Sequence, residues 1–172
     1  MLRSLGRKRV RPDRLGGAAL AVFIVAFSGI AFGQLSSGKL ANQVLREINQ
    51  QRVLNGVGPL MLNRRLASAA QKHAEDMVKR DYLGHRSPDL RGLTDRVTSA
   101  GYPWHAVAEN LAAGKLPVNR TVQSWMTSPS HRENMLNPDY SEAGVGYAFF
   151  SGDGKRPRYD RYWVVVFAKP SR

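Results

Sequence analysis

Histidines are the residues of this chain best suited to metal or acid–base chemistry, and they are spread widely along it. The sequence has 4 histidines and no cysteine, which excludes disulfides and thiolate metal sites. It contains neither the HExxH spacing of a zinc-binding helix nor the Gly-x-Ser-x-Gly turn that presents a nucleophilic serine. Any site must therefore be assembled by folding from residues that are remote in sequence.

Apolar spacing predicts the helices that would position such a site. The strongest pattern places seven residues at the offsets of one helical face: Leu66, Ala69, Ala70, His73, Ala74, Met77 and Val78. An earlier helix is predicted from an N-cap at Ser36 or Ser37 to the Asn55-Gly56 turn. Two further helices are predicted over residues 93–100 and between Pro117 and Ser128, which precedes a proline.

Three strands are predicted from the remaining apolar segments, at residues 105–112, 144–150 and 162–168. The last is almost entirely apolar, which is typical of a strand covered on both faces. Helices that alternate with a few strands, one of them buried on both sides, predict a three-layer α/β/α domain with the sheet between helical layers.

The first 33 residues look like an export segment rather than part of that domain. Six basic residues precede an uncharged apolar run over residues 15–32, which is the layout of a signal peptide. Small residues at Ala31 and Gly33 predict cleavage before Gln34, so that residues 34–172 form the domain. The alternative is an uncleaved membrane anchor over residues 15–32, because the run is about the 18 to 20 residues that span a bilayer.

The net positive charge of the chain favours anionic partners. The full chain has a formal net charge of +13, and residues 34–172 keep +8, because residues 1–33 hold six basic residues and Asp13. For a secreted, periplasmic or envelope protein this excess favours contact with anionic envelope polymers or lipid headgroups, and it makes nucleic acid an improbable partner. A solvated basic surface without a specific partner is the alternative.

Several local strings resemble the CAP superfamily (cysteine-rich secretory, antigen 5, pathogenesis-related), in its bacterial cysteine-free form with an SCP domain. They occur in family order: the helix at 66–77, YLGHRSP at 82–88, ENL at 109–111, WMTSPSHRENML at 125–136 and GVGY at 144–147. The fourth string is the most specific. The resemblance covers residues 40–169 and implies an α/β/α sandwich with a small, mainly antiparallel central sheet and an open cleft.

The resemblance also implies a site. His85, Glu109 and His131 fall on three of the four cleft positions that hold two histidines and two glutamates in the family. Ser128 occupies the fourth position, where many relatives have the second glutamate. Two imidazoles and one carboxylate are a reasonable ligand set for a divalent metal such as zinc. The alternative is a polar cluster in which Glu109 only orients the histidines.

Other polar residues have more ordinary interpretations. Ser128 or Ser130 could act as a nucleophile activated by a histidine, but a cap or turn role is usual before a proline. His73 is expected in the core, and His105 on the surface beside Trp104, although a strand would put it on the face of Glu109. Structural or solvated roles are expected for the neighbouring polar residues: Asn110, Asn134, Arg132 and Glu133.

Two functions are compatible with these observations. The first is a binding module whose cleft holds an envelope lipid, glycan or peptide, with or without a divalent metal. The second is a metal-dependent hydrolase of envelope polymers or peptides, in which the ion lowers the pKa of a bound water. The missing second carboxylate and the lack of a recognisable nucleophile favour binding. The sequence leaves the ligand and the oligomeric state open.

Overall fold

The computed structural model describes residues 28–150, 152 and 157–171, with side chains from residue 38 onward. Five helices and four strands follow one another in the order helix, strand, two helices, strand, two helices, two strands. Helices are α1 (Ser28–Leu54), α2 (Arg64–Arg80), α3 (Leu93–Ser99), α4 (Val118–Thr127) and α5 (Pro129–Leu136). Strands are β1 (Met61–Leu62), β2 (Trp104–Ala113), β3 (Glu142–Phe149) and β4 (Arg161–Pro170).

The strands form one sheet in the order β1-β3-β4-β2. β4 pairs antiparallel with both β3 and β2, and the short β1 runs parallel to β3. Side chains of β4 alternate between two hydrophobic cores, with Trp163, Val165 and Phe167 in one and Val164 and Val166 in the other. The predicted strand covered on both faces is therefore confirmed as the centre of an α/β/α sandwich.

Each face of the sheet has its own helical layer. Helices α1, α4 and α5 contribute to the core around Trp163, whereas α2 and α3 contribute to the core around Val164. The α2 helix lies directly on β3, because a β-carbon added at Gly144 would collide with the backbone of Ala67. Only glycine allows this approach, which explains the GVGY string in structural terms.

Helix α2 has defined ends. The Asn63 side chain accepts hydrogen bonds from the backbone N–H groups of Arg65 and Leu66, as an N-cap does. At the other end Asp81 adopts a left-handed conformation with φ of 52°, which closes the helix. The apolar face predicted from Leu66 to Met77 is buried as expected.

The outer edge of β2 is covered by side chains from α4 and α5. Trp125 donates from Nε1 to the carbonyl of Leu111 at 2.9 Å, and Asn134 donates to the carbonyl of Glu109 at 3.5 Å. Edge strands with unpaired carbonyls invite pairing with another chain. These two contacts protect the edge at the position where the predicted site begins.

The start of α1, the short strand β1 and helix α5 differ most from the sequence prediction. Helix α1 does not begin at Ser36 or Ser37 but runs continuously from Ser28, because nothing in this stretch breaks a helix and isolated glycines are tolerated. Strand β1 was not predicted; two exposed residues carry no strand pattern, and pairing with β3 creates the strand.

The export segment stays a prediction. Most of it, residues 1–27, lies outside the described residues, and so does most of the proposed anchor. Among the helices that the structure describes, none combines the length and the apolar character that a membrane span requires.

Candidate functional site

Glu109 is the centre of the candidate site. It lies on β2, and its side chain is only 1% exposed. One carboxylate oxygen, Oε1, is 2.9 Å from Nδ1 of His85, and the other, Oε2, accepts a hydrogen bond of 2.7 Å from Nη2 of Arg96. Because a buried carboxylate is costly unless it is paired, these two contacts are what makes Glu109 tolerable inside the protein.

His85 lies on the loop between α2 and α3, with 59% of its side chain exposed. Arg96 also donates to the backbone carbonyl of His85, at 3.0 Å, so one arginine holds both the loop and the carboxylate. An ionised carboxylate only accepts hydrogen bonds, so Nδ1 of His85 must carry the proton in this contact. In the neutral ring the lone pair is then on Nε2, which is free for a ligand.

His131 lies on α5 and is half-buried. Its backbone carbonyl accepts a hydrogen bond of 2.9 Å from Asn110, and Asn134 donates to the Asn110 side chain at 2.9 Å. Both amides therefore have the structural role that the sequence predicted. Burial lowers the pKa of His131, and the nearby charge of His85 lowers it further, so His131 is held as a neutral imidazole.

Consecutive residues of β2 connect the two histidines: Glu109 holds the ring of His85, and Asn110 holds the backbone of His131. We call the surface formed by His85, Glu109 and His131 the imidazole face. Its two rings differ in how they are supported. His85 is fixed through its ring nitrogen, whereas His131 is fixed through its main chain and its burial.

His73 is a buried neighbour of this face. It is 1% exposed, its Nε2 is 3.0 Å from the carbonyl of Gly84, and the same nitrogen is 3.9 Å from Oε1 of Glu109. Burial lowers its pKa, an effect that the charge of Glu109 partly opposes and that of Arg96 reinforces. The prediction of a hydrogen-bonded core histidine is confirmed.

Arg96 is the residue that sequence analysis missed. Its side chain is 9% exposed and links the loop of His85 to the carboxylate of Glu109. A buried carboxylate predicts a cationic partner, but the chain has 26 lysines and arginines. Only the packing of α3 against β2 identifies which of them pairs with Glu109.

The remaining candidates are His105, Ser128 and Ser130. His105 is exposed, and so is Ser130. Ser128 is half-buried and precedes Pro129 at the start of α5. Within the part of the chain that the structure describes, no hydrogen bond joins either serine to a histidine, so the geometry provides no serine–histidine pair of the kind that nucleophilic catalysis uses.

A site with three ligands for a divalent metal would need Glu109 as one of them. In the described ranges, no group of three or more histidine and acidic side chains is arranged to hold an ion. Both oxygens of Glu109 are engaged, by His85 and by Arg96. Its contacts match those of a carboxylate that orients a metal-binding imidazole from behind, and the nitrogens open to a ligand belong to the two histidines.

Lowered histidine pKa values predict that stability depends on pH. His73 and His131 stay neutral in the folded chain while the unfolded chain takes up protons near the ordinary histidine pKa of 6.5. The unfolded state therefore binds more protons in this window, and the free energy of unfolding should fall as pH decreases from about 7 to about 5. Urea unfolding at several pH values measures this slope.

Two matched variants test whether His73 contributes to the pH dependence of the free energy of unfolding. His73→Gln should reduce the pH slope, because it removes a buried titrating group. His105→Gln, at an exposed position, should leave the slope unchanged. If the slope is the same in both variants and in the parent chain, His73 does not contribute to it.

The sequence and the fold are similar to those of known proteins. The sequence pattern that defines the family described as "Cysteine-rich secretory protein family" (CAP) matches residues 45–167. The uncharacterized protein YkwD of Bacillus subtilis is 33% identical over 105 residues, covering 61% of this chain and 41% of YkwD. The uncharacterized membrane protein YlbC of the same organism is 33% identical over 104 residues, covering 60% of this chain and 30% of YlbC.

Solved structures share the fold. An extracellular Bacillus anthracis protein containing an SCP domain superposes with a TM-score of 0.65 at 26% identity, covering 77% of this chain and 41% of that protein. An outer surface protein of Borrelia burgdorferi superposes with a TM-score of 0.66 at 23% identity, covering 76% of this chain and 92% of that protein. The chain thus spans less than half the length of YkwD, YlbC and the Bacillus anthracis protein.

Proposed function

Since the chain belongs to the cysteine-rich secretory protein (CAP) family, we propose that it is a binding module of the cell envelope or extracellular space. Its ligand, an envelope lipid, glycan or peptide, lies against the imidazole face. The apolar, basic-flanked segment within residues 1–33 supports this location, as does the similarity to an extracellular protein of Bacillus anthracis.

The engagement of Glu109 is the observation that carries this proposal. A general base must be free to take a proton from a reacting group. Here the carboxylate is buried and shared between His85 and Arg96, at 2.9 Å and 2.7 Å. It therefore serves to position His85, and the groups left to hold a ligand are the two imidazoles, that of the exposed His85 and that of the half-buried His131.

A divalent metal such as zinc would extend this role. His85 would offer Nε2, and His131, whose pKa is lowered by burial, would offer a neutral ring; Glu109 becomes a third ligand only if it is released from Arg96. When bound, such an ion would attract carbonyl or anionic groups of the ligand and would lower the pKa of a bound water.

A metal that lowers the pKa of a bound water could also support a second function, that of a metal-dependent hydrolase of envelope polymers or peptides. The observation in its favour is the pair of imidazoles, one of them in contact with a carboxylate and the other with a pKa lowered by burial. It requires a water-activating ion, and it requires a proton acceptor other than Glu109 as the structure has it.

One experiment separates the two functions. Purified protein is incubated with muropeptides, peptides and phospholipid vesicles, with and without zinc, and both retention and turnover are measured. Binding without turnover is expected, and His131→Ala should weaken zinc binding at least about tenfold. His105→Ala, also a loss of one histidine, should change neither quantity. Turnover that depends on zinc and disappears in His131→Ala would replace binding with hydrolysis.

A further inference from the structure

A cavity lies between α2, α3 and the loop that joins them. Its volume is about 350 Å³, which falls in the range of pockets that hold small molecules. The residues that line it include Arg96 and His73 but neither His85 nor His131. It therefore adjoins the inner side of the candidate site without being part of the imidazole face.

The acidic side chains of this cavity are already paired. Arg80 donates to Asp76 at 2.6 Å and to Asp89 at 2.8 Å. Asp76 also accepts a hydrogen bond of 2.5 Å from Tyr82. The charge of Arg80 is therefore offset by the two carboxylates.

Two cations of the same cavity lack such partners. Arg91 donates from Nη2 to the hydroxyl of Ser99 at 3.0 Å, and Lys72 is exposed on α2. Within the described ranges neither is paired with a carboxylate. Together with Ser99 they contribute positive charge and hydrogen-bond donors to the lining of the cavity.

One more cation of the lining, Arg96, is already paired. Arg96 faces the cavity, but its guanidinium is occupied by Glu109 and by the backbone carbonyls of His85 and Arg91. Small apolar side chains, Ala69 and Ala100, complete the wall. The lining thus combines paired acidic groups, two cations without an acidic partner among the described residues, and small apolar side chains.

We propose that this cavity binds a small organic anion, whose carboxylate or phosphate group contacts Lys72 and Arg91 while its apolar part packs on Ala69 and Ala100. Arginine and lysine are the residues that bind these groups in proteins, arginine through two parallel hydrogen bonds. The site is independent of the imidazole face, so the proposal does not rest on the function proposed above.

The test uses inorganic phosphate and acetate as separate probes, titrated into ¹⁵N-labelled protein at constant ionic strength with sodium chloride as the reference. Saturable shifts are expected at the backbone amides of Lys72, Arg91 and Ser99. The probe that binds more tightly distinguishes a phosphate ligand from a carboxylate ligand. Shifts that do not saturate, or that spread over the whole basic surface, would overturn the proposal.

Matched charge variants complete the experiment. Lys72→Gln and Arg91→Gln should each weaken the tighter probe by about tenfold, the effect of losing one charge-assisted hydrogen bond. Arg120→Gln removes the same charge from an exposed position on α4 and should leave the affinity unchanged. Equal losses in all three variants would mean general electrostatic attraction and no site. Zinc binding, measured in the same variants, reports separately on the imidazole face.

Discussion

Arg52→Met should destabilise the chain by about 4 kcal/mol, because it removes four hydrogen bonds, two of them buried and two part-buried, at about 1 kcal/mol each. Arg52 lies near the end of α1, is 1% exposed, and donates four hydrogen bonds. Its acceptors are the carbonyls of Gly58 at 2.7 Å, Met135 at 2.7 Å, Asn137 at 3.0 Å and Tyr140 at 3.0 Å.

These bonds connect segments that no regular secondary structure joins. Gly58 lies on the turn after α1, while Met135, Asn137 and Tyr140 lie at the end of α5 and on the chain that enters β3. The pKa of Arg52 is lowered by burial, as expected for a guanidinium that is surrounded by carbonyls. Replacing it therefore removes the support of the loop that follows the helix carrying His131.

Urea unfolding measures the effect, with Arg46→Met as the control. Arg46 is exposed on the same helix, and its replacement should change stability by no more than about 0.5 kcal/mol. Arg52→Lys keeps the charge, but a single ammonium group has only three donors and cannot reach the same four carbonyls. It should lose at least about 2 kcal/mol. An Arg52→Met variant as stable as Arg46→Met would show that water or a rearranged loop satisfies the carbonyls.

Arg52 also shows what the sequence could not reveal about the fold. Periodicity predicted α2 and β4 because their patterns depend on neighbours in sequence, and both were confirmed. A buried arginine has no such pattern: it lies within a polar stretch of α1 and resembles the exposed arginines. Its partners are up to 88 residues away, so only the packed chain distinguishes it from Arg46.

The candidate site, too, was predicted only in part from the sequence. The resemblance to the CAP family supplied His85, Glu109 and His131, and the structure places the carboxylate against the imidazole of His85 and the backbone of His131 against the next residue of the same strand. Nothing in the sequence indicated that Arg96 would take the second oxygen of Glu109. This contact changes the expected chemistry, because a carboxylate bound to an arginine orients a histidine and does not act as a free base.

Glu109→Gln should reverse the protonation of the His85 ring. The amide oxygen of glutamine can accept from Arg96, and its NH₂ group then faces Nδ1 of His85, where Glu109 now lies at 2.9 Å. Two donors cannot share a hydrogen bond, so the ring should move its proton from Nδ1 to Nε2. Long-range ¹H–¹⁵N correlation spectra of the histidine rings report this directly.

The consequence for ligand binding follows from the lone pair. With the proton on Nε2, His85 offers no lone pair toward the imidazole face, and metal affinity should fall by about 10- to 100-fold, as when other carboxylates behind a metal-binding histidine are replaced. Glu133→Gln is the matched control, because Glu133 is exposed on α5 and should alter neither the ring spectrum nor the affinity.

The Glu109→Gln experiment also distinguishes a carboxylate that orients His85 from one that binds the metal directly. If Glu109 bound the metal directly and did not set the proton of His85, Glu109→Gln would lower metal affinity while the ring of His85 kept its proton on Nδ1. If Glu109 acts by orienting His85, the loss of affinity and the change in the ring spectrum must occur together. An unchanged ring together with unchanged affinity would remove Glu109 from the binding surface and leave it only the structural role of neutralising Arg96.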